Sequence, residues 1–200
     1  MITMLEATRG ALDEALRDPR VLLCSQLGKY GLGGLTTGLD AAHPGKVFTY
    51  PVCENLMNGS AMGLALAGMR PIVIHERMDF LAVGMDPLIN HIPIWPARQN
   101  MSLPVVIIAV VGKGKGQGPQ HSKNFTHWFR GMEGWKVVEP DSPEAARAGL
   151  LAAVFGDSPV LYVLHREFFG ATGKVVPPVE MSVTLCGASE RHEAEFYRAR

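Results

Sequence analysis

The amino-acid sequence predicts an α/β fold: a three-layer, doubly wound, mostly parallel sheet with helices on both faces. Two patterns carry this expectation. Short apolar runs alternate along the chain with segments of helical apolar spacing, which is the rhythm of strands buried on both faces. Apolar residues also make up 47% of the 200 residues and charged residues only 19%, enough for one well-buried core in a chain too short for two. A domain over residues 1–169 and a carboxyl-terminal tail over 170–200 follow. The apolar excess further predicts that part of the surface is covered by another chain.

Met4, Leu5, Ala7, Leu12, Ala15 and Leu16 recur at helical spacing between charges, so residues 4–18 should form an amphipathic helix. VLLCSQ (21–26) enters the glycine-rich KYGLGG and reads as a buried strand. VFTYPV (47–52) is a second strand, and residues 54–68 form a small-residue helix closing on Gly68. RPIVIHE (70–76) is the third strand, followed by a helix around 80–92 and the strand PVVIIAVV (104–111). After a glycine-rich loop come a helix near 124–132, the strand KVVEP (136–140), a helix over 142–156 capped by Ser142, and the strand VLYVLH (160–165). The tail, with its prolines, the weak apolar run MSVTLCG and a charged end, can add one strand or helix but no second core. In such sheets ligands lie outside the carboxyl ends of the strands, so the loops after Val52, Glu76 and Val111 are the expected site.

Several function classes are disfavoured. Lys plus Arg and Asp plus Glu both total 19, so no net charge draws the molecule to nucleic acid or to a membrane surface. Cys24, Cys53 and Cys186 lack C-x-x-C spacing, which predicts neither a disulfide framework nor a zinc site and points to a reducing, cytoplasmic compartment. MITMLEATRGALDEALRD does not read as a signal peptide, and no run of about 18 apolar residues occurs.

The loop GKGKGQGPQHSKN (112–124) resembles a phosphate cradle but meets neither phosphate pattern. A P-loop needs Ser or Thr directly after its lysine, whereas Lys113 and Lys115 are each followed by glycine; a dinucleotide fingerprint needs other glycine spacing and a helix that Pro119 interrupts. What remains is a glycine-permitted backbone able to close over a ligand and carry Gln120, His121 and Ser122, or else a solvated loop. Glu54 opens a helix containing Asn55, Asn58 and Gly59. A carboxylate there suits either the helix dipole or catalysis.

Taken in order, RDPRVLL, VFTYPVCEN, GLALAGMRPIV, DFLAVGMDPLIN, GPQHS, GWKVVEPDSPEAARAGLLAAV and DSPVLYV change the balance. From about Met4 to Val163 the chain resembles the β subunit of the thiamine-diphosphate-dependent first component of 2-oxo acid dehydrogenases, a transketolase-like pyrimidine-binding domain. The resemblance implies that Glu54 hydrogen-bonds N1′ of the cofactor's aminopyrimidine and that Phe80 lies against that ring. It implies that His121 enters the site on its loop, accompanied by Ser122, to stabilise or protonate intermediates. Arg77 stands where an aromatic residue is common and could bind a substrate carboxylate or phosphate, or form a surface salt bridge. Lys113 and Lys115 would form a cationic approach for an anionic substrate.

Departures from the family pattern matter as much. Cys24-Ser25-Gln26-Leu27 replaces an acidic Gly-Glu-Asp-Val stretch, so a proton relay through those acids is not expected. WPARQNMSL replaces a small glycine-containing turn, a change expected at a subunit contact. The family's β subunits continue into a separate carboxyl-terminal domain that this sequence lacks, which weakens membership of a conventional dehydrogenase complex. No Gly-Asp-Gly occurs either, so no metal ligands are expected here, and an α-like partner should hold the diphosphate and Mg2+ in a heterodimer or heterotetramer. The implied activity is cleavage of a 2-oxo acid or ketose-like donor with transfer of the acyl or aldehyde fragment. The alternatives are a transketolase-like carboligase, a non-catalytic regulatory or binding subunit, and a nucleotide-binding module.

Overall fold

The computed structural model describes residues 1–112 and 118–175. Lys113, Lys115, Cys186 and the tail from residue 176 onward lie outside the described residues. In chain order the regular elements are α1 (Met4–Ala15), β1 (Val21–Ser25), α2 (Leu39–Ala42), β2 (Val47–Thr49), α3 (Glu54–Leu66), β3 (Arg70–His75), α4 (Trp95–Gln99), β4 (Val106–Val111), α5 (Thr126–Arg130), β5 (Lys136–Val138), α6 (Pro143–Phe155) and β6 (Val160–His165).

All six strands join one parallel sheet in the order β2-β1-β3-β4-β6-β5. Every residue of β4 and of β6 is buried, as expected where helices cover both faces and no polar side is needed. Alternation along each strand divides the core in two. Ile72 and Ile74 of β3 join Leu23, Ile108 and Tyr162 beneath α1 and α6, while Val73 joins Cys24, Ile107, Ala109 and Val163 beneath Met57 and Ala61 of α3.

The helix starts follow local chemistry. Thr3 accepts from the Glu6 N–H while the Glu6 carboxylate accepts from the Thr3 N–H, a reciprocal cap for α1. The Ser142 hydroxyl accepts from the Ala145 N–H at the start of α6, as its sequence position predicts. Gly68, with φ of +87°, closes the turn after α3.

Two expectations are corrected. The strand expected over 47–52 stops at Thr49 and is an edge strand with Phe48 exposed; Pro51, which has no N–H, cannot extend the ladder. The helix expected around 80–92 resolves into a 3-10 turn over Met78–Gly84 and a π-helical turn over Pro87–His91. Pro87 has no N–H to offer the preceding turn, so an α-helix cannot run through it. WPARQNMSL contains the short helix α4, ended by Asn100 in the left-handed region at φ +48°.

Candidate active site

Parallel pairing sets the carboxyl ends of all six strands along one edge, and the loops leaving that edge carry the predicted residues. The chain turns after β2 through Tyr50, Pro51 and Val52 and enters α3 at Glu54. Cys53, at the cap position, makes no side-chain capping bond. Glu54 itself is buried, only 5% exposed, and is met from the end of β1. Gln26 Nε2 donates to Glu54 Oε1 over 3.0 Å. The helix dipole favours a carboxylate in this first turn, but a cap alone would leave it facing water. A buried carboxylate held by a neutral amide keeps lone pairs on both oxygens for a further donor.

Phe80 and His121, about forty residues apart in sequence, come together here. Their ring centroids lie 5.5 Å apart with planes at 85°, an edge-to-face contact. His121 Nδ1 is buried without a hydrogen-bond partner among the described residues. The backbone after His121 is tied to the turn that carries Phe80. Both Asp79 carboxylate oxygens accept from the Lys123 N–H at 3.3 Å, and Met78 Sδ accepts from the Phe125 N–H at 2.9 Å. Ser122 turns away from this corner to donate its hydroxyl to the Gly118 carbonyl over 3.0 Å.

Arg77 is not a surface residue. It is 5% exposed, which removes the exposed salt-bridge reading. Burial, and next the charge of Arg166, hold its guanidinium below the ordinary arginine value. Glu76 beside it is pushed up by burial against the opposing pull of Arg77 and Arg166, and its Oε1 has no hydrogen-bond partner among the described residues. Lys113 and Lys115 lie outside the described residues.

Sequence reasoning missed a second group of charges on the same edge. Glu139, just after β5, hydrogen-bonds His165 at the end of β6 and pairs with Arg130 of α5. Burial alone would raise this carboxyl, but the His165 hydrogen bond, with the charges of His165 and Arg130, outweighs it and holds Glu139 below the ordinary value. Only the polar residues ending the runs KVVEP and VLYVLH signalled this cluster. Among the described residues no group of three His, Cys, Asp or Glu side chains could hold a metal ion, and no helix is long and apolar enough to cross a membrane.

The chain has relatives among known proteins. The family model for the transketolase pyrimidine-binding domain matches residues 1–170. The chain is 32% identical over 184 residues to the acetoin:2,6-dichlorophenolindophenol oxidoreductase β subunit of Cupriavidus necator, covering 84% of this chain and 54% of that protein. It is 31% identical over 191 residues to the pyruvate dehydrogenase E1 β subunit of Chaetosphaeridium globosum, covering 92% of this chain and 58% of the relative. The mitochondrial counterpart from Ascaris suum is 32% identical over 185 residues, with 90% and 51% covered. The chain thus spans about half the length of the curated relatives it matches. Among solved structures, a split-gene transketolase described as an inactive β4 tetramer superposes with a TM-score of 0.64 at 22% identity, covering 89% of this chain and 54% of that one. This last likeness speaks for the fold.

Proposed function

Since the chain belongs to the transketolase pyrimidine-binding domain family, we propose that it is the pyrimidine-binding half of a two-chain thiamine-diphosphate enzyme acting on a 2-oxo acid or related ketone donor. The observation that carries this reading is the edge-to-face contact of His121 with Phe80, which sits on a turn whose Gly84 packs against the first turn of α3, where Glu54 is buried. A buried carboxylate opens α3, and an aromatic ring and an imidazole meet on the turn and loop beside it. Residues 1–169 form the domain and residues 170–200 a tail; the family match over 1–170 supports this division.

The site's chemistry fits the cofactor's aminopyrimidine. Gln26 engages one oxygen of Glu54 as a donor, so the carboxylate can still accept from a ring nitrogen, and Phe80 offers a half-buried aromatic ring on the turn that packs against α3. When bound, thiamine diphosphate supplies the nucleophilic carbon and electron sink for cleaving the bond beside a donor carbonyl. Glu54 holds the ring and moves a proton at its free oxygen. Phe80 orients the ring. His121, whose Nδ1 is buried without a hydrogen-bond partner among the described residues, would hand a proton to reacting oxygen atoms. Arg77 would meet an acid group on the donor, with Lys113, Lys115 and Ser122 on the approach.

An α-like partner subunit would hold the diphosphate and Mg2+, the sequence containing no Gly-Asp-Gly. The exposed Val52, Leu56 and Val83 give a partner apolar surface near Glu54. The relatives named as pyruvate dehydrogenase and acetoin oxidoreductase β subunits favour an oxidoreductase setting over a carboligase. Cysteines without disulfide spacing support a cytoplasmic location. The decisive experiment purifies the chain with its diphosphate-binding partner and compares wild type with Glu54→Gln. Turnover lost with folding and assembly intact is expected, and full turnover in the variant would refute the assignment. A second reading, a binding subunit without turnover, draws on Gln26 standing where the family carries an acidic stretch. Calorimetry that shows cofactor binding but no turnover by the assembled wild type would favour it.

A further inference from the structure

Asn58 lies one helical turn beyond Glu54 on the same buried side of α3 and is 0% exposed. Both ends of its amide are engaged. Nδ2 donates to the Gly84 carbonyl over 3.0 Å, and Oδ1 lies 2.8 Å from His75 Nε2 at the end of β3. A carbonyl only accepts, so Gly84 fixes which end of the amide faces it. The Asn58 oxygen likewise only accepts, so His75 donates from Nε2. This requirement agrees with the environment, since complete burial takes the His75 pKa down to about 3 and keeps the ring neutral.

Gly84 shows how tightly the parts meet. A Cβ there would lie 2.6 Å from Asn58 Nδ2 and 2.8 Å from the Glu54 carbonyl carbon, so the turn backbone rests directly on the first turn of α3. That same turn carries Phe80, and its Met78 and Asp79 hold the backbone after His121. One buried amide therefore ties together the end of β3, the helix that presents Glu54 and the turn that presents Phe80. Nothing in the helix itself requires an amide at position 58, where Asn is a poor helix former.

We propose that Asn58, oriented by His75, is a positioning residue that sets the spacing between Glu54 and Phe80 and through it the fit of the aminopyrimidine. The inference rests on the cofactor reading above. It touches neither cofactor nor substrate and acts through the other two residues.

The test uses the co-purified two-chain enzyme as wild type, Asn58→Ala and Glu54→Gln. Three readouts are taken: the calorimetric dissociation constant for thiamine diphosphate, kcat and KM for the donor, and hydrogen exchange of the amides of residues 79–84. In Asn58→Ala the cofactor constant should rise about tenfold or more and kcat should fall, with donor KM within about twofold and exchange at 79–84 faster. Faster exchange with an unchanged cofactor constant would reduce Asn58 to a structural role and overturn the proposal. If Asn58→Ala does not fold, His75→Gln and His75→Phe decide. The first keeps a donor for Oδ1 and the second removes it, so cofactor affinity should fall in the Phe variant alone; equal affinities overturn the proposal. No cofactor binding by wild type would overturn the cofactor reading and this inference together, whereas normal wild-type binding with an indifferent Asn58→Ala would overturn the inference alone.

Discussion

Gln26 donates an amide hydrogen to Glu54 Oε1 over 3.0 Å, spanning the gap between the end of β1 and the first turn of α3. An amide cannot titrate, so this contact holds the carboxylate without sharing a proton with it. A carboxylic acid at position 26 would do both. Replacing Gln26 by Glu would put two carboxylates within hydrogen-bond reach, and such pairs titrate together with one step raised. The acid limb of the kcat/KM profile should then move up by about one pH unit or more. Gln26→Ala should lower kcat/KM with the limb unmoved. A Gln26→Glu profile superimposable on wild type would show that the contact does not govern Glu54.

The edge-to-face contact of Phe80 with His121 predicts an energetic coupling. Phe80→Leu keeps apolar bulk but loses the ring, and His121→Asn keeps a polar group but loses the imidazole. In a double-mutant cycle on thermal stability, the two changes should couple by about 0.5–1.5 kcal/mol, the range for aromatic pairs. Simple additivity would mean that the ring contact contributes nothing. On kcat/KM the His121 variant alone should show the larger loss, because only the imidazole can move a proton.

Two glycines, one packed against α3 and one within it, should respond oppositely to the same change. Gly84→Ala drives a methyl group into backbone atoms of Glu54 that cannot swing aside, an overpacking that costs about 1–3 kcal/mol. Gly63, inside α3, has nothing within 4 Å of an added Cβ. Gly63→Ala should stabilise by about 0.4–1 kcal/mol because it restricts the unfolded chain. Differential scanning calorimetry should show midpoints moving in opposite directions, by about 2–4 °C per kcal/mol in a chain of this size. Equal shifts would contradict the close approach at Gly84.

The central strands were legible in the sequence because burial on both faces leaves no polar alternation, so VVIIAVV and VLYVLH stand out as runs. Helix α1 was legible from apolar spacing, α3 from its small residues closing on Gly68, and α6 from Ser142. The segment 78–91 was not: its 3-10 and π turns depend on Pro87 and on Gly84 pressing against Glu54, a contact that no window of sequence contains. Glu54 stands out by opening a helix and His121 by its glycine-rich loop, whereas their roles and Phe80 altogether rest on the resemblance; the structure brings Phe80 and His121 into contact. Gln26 was noticed only as a departure. Arg166, Glu139 and His165 share the site's edge solely because β6 pairs with both β4 and β5, an adjacency created by the sheet order.

His75 makes the fold sensitive to acid in a defined window. Burial lowers its pKa from the ordinary 6.5 to about 3, so the folded state holds it neutral while the unfolded chain takes up a proton below about 6.5. Between these values the unfolded state binds more protons, and stability must fall as pH falls, by at most about 1.4 kcal/mol per unit from this group. Glu139 acts in the same direction but lower: its depressed pKa gives stability that is present above its ordinary value of 4.5 and lost only as pH drops beneath that. Between pH 6.5 and 5 the difference between wild type and a variant at position 75 reports His75, because Glu76, raised by burial and opposite in sign, contributes equally to both. Wild type should lose more stability across that interval, read as thermal midpoints, than His75→Gln, which keeps a donor for Asn58 but cannot titrate. Parallel curves for the two proteins would show that His75 is not held neutral by the fold.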